Sequence, residues 1–176
     1  MKRIVVFVFV LLMMPLNSVL AKTVQVADVG AEDLMTVIHS ISNNSEMQTL
    51  LPLKITDVRR TKDLDKPSQG LYCWKCQFGD KNYKNFDGEI QFLVNGGGCV
   101  SKIKVVQYKN ANPYLVSGAL TTVLYSLGLD DEIRVLFTVY DDSSSQRVSN
   151  AWSRPKNRRF ILTSYGTVNV VDATDD

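Results

Sequence analysis

Three cysteines and one histidine are the residues of this sequence whose types best suit chemistry. Cys73-Trp74-Lys75-Cys76 has the C-x-x-C spacing. In thiol oxidoreductases that spacing opens a helix, whose partial positive charge lowers the pKa of the first thiol. Here Leu71-Tyr72 and Gln77-Phe78 flank the motif with strand-forming residues, and no βαβ pattern precedes it. The electrostatic support for a redox role is missing, so the structural reading of the motif is preferred. Cys73, Cys76, Cys99 and His39 are also the ligand types of a closed Cys₃His zinc site. Cys99 and His39 lack diagnostic spacing, and His39 falls beside an apolar helical stripe. No metal and no cofactor is expected.

Hydrolytic and phosphate chemistry find less support. Any Ser-His-acid triad depends on His39 alone, and no G-x-S-x-G turn is present. Gly96-Gly97-Gly98 precedes a strand-like segment and lacks a following Lys-Ser or Lys-Thr, so it reads as a hairpin turn. The neighbouring acids Asp130-Asp131 and Asp141-Asp142 read as solvated loop or cap residues. Asn43-Asn44-Ser45 has the form of a glycosylation sequon. No catalytic residue is assigned.

Residues 1–21 read as a secretory signal peptide. Lys2 and Arg3 precede the apolar run Ile4 to Met14, which is shorter than the roughly 20 residues that span a bilayer. Val19-Leu20-Ala21 offers a cleavage site, and Lys2-Arg3 is not a twin-arginine pair. The expected location is periplasmic or secreted, with membrane contact only through the uncleaved leader. The leader carries two of the chain's 20 basic residues and none of its 18 acidic ones, so the mature chain is formally neutral. That excludes nucleic acid as the expected partner, because such domains carry a basic excess. Outside the cytoplasm nearby cysteines default to disulfides. One bridge is expected, Cys76–Cys99 or Cys73–Cys99, because it closes a longer loop than a Cys73–Cys76 ring.

Residues 22–176 read as one α+β domain: a meander-like antiparallel sheet with two or three helices packed on one face. Ala31 to Leu51 is helical, with Leu34, Val37, Ile38 and Ile41 on one stripe and a break at Asn43-Asn44-Ser45. Strand-like segments follow at Lys54 to Thr61, Gly70 to Phe78, Glu89 to Asn95 and Cys99 to Tyr108. Asn112-Pro113 starts the clearest helix, with Leu120 inward, Thr122 outward and Gly128 just past its end. The alternation of Ile133, Val135, Phe137 and Val139 predicts a strand over Ile133 to Tyr140. Ser143 to Ser153 reads as a loop or short helix. Arg159 to Val171 reads as strand broken at Gly166.

With no catalytic set assigned, the expected function is an exported, non-enzymatic protein-binding module, such as an inhibitor or immunity-type protein. Its partner is another protein, met through Trp74, Lys75, Trp152, Arg154, Lys156, Arg158 and Arg159, because Trp and Arg are enriched at interface hot spots. Two alternatives stand beside it: an accessory component of an envelope secretion or conjugation apparatus, and a thiol–disulfide oxidoreductase using Cys73 and Cys76.

Overall fold

The computed structural model describes residues 24–61, 72, 74–138 and 146–175. The leader and Cys73 lie outside them. Helix α1 (Ala31–Ser42) begins with Glu32 and Asp33 in its first turn, where the helix dipole favours negative charge. Ala31, Leu34, Met35 and Ile38 give it one buried face. The Asn43-Asn44 break then starts α2 (Ser45–Leu50), whose first amides are capped as the Asn44 side chain accepts from the Glu46 N–H at 2.9 Å. After Pro52 the chain extends as β1 (Leu53–Ile55) and β2 (Arg59–Arg60).

The next three strands form a meander: β3 (Trp74–Asp80), β4 (Gly88–Val94) and β5 (Val100–Gln107). β1 and β2 pair with β3 along one edge. Ile55 stands opposite Phe78 and Arg59 opposite Lys75, so one extra residue bulges between the two segments. Asn95 builds the β4–β5 turn, accepting at Oδ1 from the N–H groups of Gly97 and Cys99, both at 3.0 Å, while Gly98 takes φ 86.

Helix α3 (Pro113–Ser126) is capped as expected. The Asn112 side chain accepts from the Tyr114 N–H at 3.0 Å, and Gly128 ends the helix at φ 68. The N–H of Gly128 donates to Tyr125 and that of Leu129 to Leu124, the two bonds of a Schellman cap. α3 lies between the sheet and α1, so it is buried on nearly every side. Leu120 is inward, but so is Thr122: fully buried, its hydroxyl donates to the Gly118 carbonyl at 2.8 Å. An outer face for Thr122 requires one side of α3 to meet water, and α1 occupies that side.

Two further expectations are corrected. Ile133–Thr138 is a helix, α4, not a strand. Its first turn is fixed by Ile133 N–H to Leu129 carbonyl and Leu136 N–H to Glu132 carbonyl, and Leu136 is the side chain it buries. Val139 and Tyr140 lie outside the described residues. The segment expected as loop or short helix is instead strand β6 (Gln146–Ser153). β7 (Arg158–Tyr165) and β8 (Val168–Thr174) complete a second meander, turning at Gly166 with φ 55.

The two meanders join through β8, which pairs with β5, to give one antiparallel sheet of eight strands ordered β1-β3-β4-β5-β8-β7-β6, with β2 beside β3. Among the described residues four helices accompany the sheet, so the protein is α+β. Phe78, Phe92, Phe160, Ile90, Ile103 and Val171 point from the sheet into this core and are essentially inaccessible.

Candidate protein-binding face

Strand alternation that turns Phe160 and Leu162 toward the helices turns their neighbours toward the opposite face. That open face divides into two chemically distinct halves. On the first meander it carries charge that is already paired. Lys75 Nζ lies 3.5 Å from Glu89 Oε2, and Lys102 Nζ lies 2.5 Å from Asp172 Oδ2 at the junction with β8. Tyr108 donates from its hydroxyl to Glu89 at 3.2 Å. The Tyr72 ring lies 5.6 Å from Lys104 Nζ, and burial, then the nearby Asp172 carboxylate, raises its phenol to about 12.

On the second meander the face mixes aliphatic and aromatic side chains with Asn150, Thr163 and Arg159. Trp152 and Val148 on β6, Ile161 and Tyr165 on β7, and Val168 and Val170 on β8 share it, since Trp152 pairs with Arg159, Val148 with Thr163 and Tyr165 with Val168. Trp152 is 39 %, Val148 47 % and Tyr165 44 % exposed. Arg159 stands beside Trp152 and donates from Nη1 to Asn150 Oδ1 at 2.9 Å, which fixes a cation next to the indole.

The residues expected to form one binding surface are not brought together. Four strands separate β3 from β6, a span of about 24 Å at the usual strand spacing. Trp74 is half-buried and packs against the core, while Lys75 is paired with Glu89 on the open face. Trp152 and Arg159 do share a face. Arg154 and Lys156 are exposed in the β6–β7 turn. Arg158 serves the fold instead, since its guanidinium donates to the Gln25 carbonyl at 2.5 Å and lies 3.2 Å from Asp28 Oδ1.

Among the described residues no disulfide is seen: Cys76 on β3 and Cys99 just before β5 are free thiols, with β4 between the two strands. Cys73 is outside the described residues. Cys76 is buried, and loss of hydration pushes its thiol up to about 12, the reverse of an activated nucleophile. His39 Nε2 lies 3.3 Å from the Thr56 carbonyl and 3.7 Å from Asp57 Oδ1, on the β1–β2 connection. Among the described residues no group of three His, Cys, Asp or Glu could hold a metal ion. A cavity of about 480 Å³ between α3, α4 and the second meander is lined by amides, hydroxyls, apolar side chains and Arg147, and its described lining residues include no histidine, cysteine or acid.

The residues that sequence reasoning missed are Val148, Ile161, Tyr165, Val168 and Val170. Their signal is the alternation of the β6–β8 segments, legible only once β6 is known to be a strand. Comparison with protein-family models, with curated proteins and with solved structures returns no match to this chain.

Proposed function

We propose that this protein is an exported, non-enzymatic binding module that engages another protein through the open face of β6, β7 and β8. The observation that carries this reading is the trio Trp152, Val148 and Tyr165, each more than a third exposed on one face of the sheet. Exposed aromatic and aliphatic side chains interleaved with Asn150 and Thr163 and edged by a fixed arginine have the composition of an interface, where aromatic and Arg side chains contribute most of the affinity. The formal neutrality of the mature chain fits a protein partner, and the leader pattern fits a partner met outside the cytoplasm. Thiol–disulfide exchange gains no support, because the residues after Cys73 form strand β3 and not the helix whose N-terminus activates the first thiol of such a motif.

The experiment is affinity capture from envelope and secreted fractions with the wild type, Trp152→Ala and Arg159→Glu. A partner held in stoichiometric amount by the wild type and lost from both variants, with unchanged melting temperatures, is the expected result. Equal capture by all three proteins rejects this face as the site.

A further inference from the structure

The two edges of the sheet are built differently. The β1–β2 edge is short, broken by a bulge and lined with Lys54, Arg59 and Arg60. These are the features that discourage a strand edge from pairing with another chain. The β6 edge has none of the breaks. Its eight residues pair with β7 in one uninterrupted register from Gln146↔Tyr165 to Ser153↔Arg158, without proline or bulge. Among the described residues β6 has a strand neighbour on one side only. From Val148 to Ser153 it carries no charged residue.

We infer that β6 pairs antiparallel with β6 of a second copy of this chain about a two-fold axis through Asn150. The register follows from the side chains. Residues directly opposite in an antiparallel pair share a face. Centred on Asn150, the pairing sets Trp152 against Val148 of the partner subunit and the reverse across the axis, so the exposed apolar side chains of β6 cover each other. Centred on Ser149, it would set Val148 against Asn150 of the partner subunit and Trp152 against Gln146 of the partner subunit, leaving both apolar groups facing polar ones. The Asn150 register is the self-complementary one. It joins the two sheets and brings the apolar halves of both open faces together as one surface.

Sedimentation of the purified protein, with a crosslinking test of the register, decides this. A dimer is expected. Val148→Asp, which brings a carboxylate against the Trp152 ring of the partner subunit, should weaken it by about tenfold or more while leaving the melting temperature of the monomer nearly intact. Asn150→Cys should form an intersubunit disulfide on mild oxidation, because residues opposed on the axis have Cα atoms about 4.5–5.5 Å apart, within bridging range. Val148→Cys should not, since its two copies stand four residues apart across the axis. A monomer at the highest soluble concentration overturns the inference. So does a dimer that Val148→Asp leaves unchanged, or one in which Asn150→Cys crosslinks no better than Val148→Cys. The readout is the isolated protein's own assembly, so it is independent of whether a partner protein binds the open face.

Discussion

Arg158, at the start of β7, holds Asp28, 130 residues earlier in the chain, with Nη2 3.2 Å from Oδ1. Its Nη1 donates to the Gln25 carbonyl. The segment so fastened buries Val26 and Ala27 and donates from both their N–H groups to the Val100 carbonyl at the start of β5. A residue that looks in sequence like part of a basic docking run is therefore a clasp between the chain's first described segment and the sheet. Arg158→Ala should lower stability by about 1 kcal/mol, the usual scale of one lost hydrogen bond, and should speed exchange of the Val26 and Ala27 amides. Hydrogen exchange together with denaturant melts checks both effects.

The same clasp has a pH signature. The Gln25 amide donates to Asp28 and, opposing the smaller effect of burial, holds its pKa below the ordinary value of 3.8; Arg158 and then Lys156 add to the lowering. A depressed folded-state pKa means that the unfolded chain takes up the proton first. The contribution is thus fully present above the ordinary carboxyl value and is lost as pH falls through the lowered one. Asp28→Asn should remove a small part of the acid sensitivity of stability below pH 3.8 and leave its slope near neutrality unchanged. Denaturant midpoints measured down the acid limb test it.

Gly118 is where α3 accepts Leu51. A Cβ added there would collide with Leu51 Cδ2, so Gly118→Ala must displace that side chain. The expected cost is about 1–3 kcal/mol, the range for overpacking. Leu51→Ala in the same molecule should recover part of it, making the pair non-additive. A double-mutant cycle by urea unfolding gives the coupling; strict additivity would mean that the two side chains do not meet.

Burial around α3 reverses one ordinary control. Leu120→Asp and Thr122→Asp should both be severe, about 3 kcal/mol or more, because each places a carboxylate where no water or cation reaches it. Tyr114→Asp is the mild variant: Tyr114 is 78 % exposed, and its first-turn position favours negative charge. Thermal melts of the three variants rank them.

Much of the fold is legible in the residues. Asn112-Pro113 and Gly128 bracket α3, and Gly98 and Gly166 mark hairpin turns that they alone fit without strain. β6 hides because its pattern is inverted. Ser149, Ala151 and Ser153 are the buried residues while Val148 and Trp152 face solvent, so hydrophobic alternation points the wrong way. α4 hides for a related reason. Over six residues a strand period and a helix period give the same impression, and its apolar Val135 and Phe137 are exposed. The candidate site suffers from topology. β8 inserts between β5 and β7, which sends β6 to the far edge and parts Trp152 from Trp74; nothing local in sequence encodes that strand order.

The two tryptophans therefore supply the measurement that tests the binding account most directly. The partner captured by the wild type is titrated against Trp152→Ala and Trp74→Ala, with melting temperatures recorded on the same preparations. Trp152→Ala should weaken binding about tenfold or more and leave the melt nearly unchanged, because its side chain stands on the open face. Trp74→Ala should lower the melt, because its side chain packs against the core, and should bind normally per folded molecule. Full affinity in Trp152→Ala, with binding lost in Trp74→Ala at intact stability, would contradict the assignment of the interface to β6, β7 and β8.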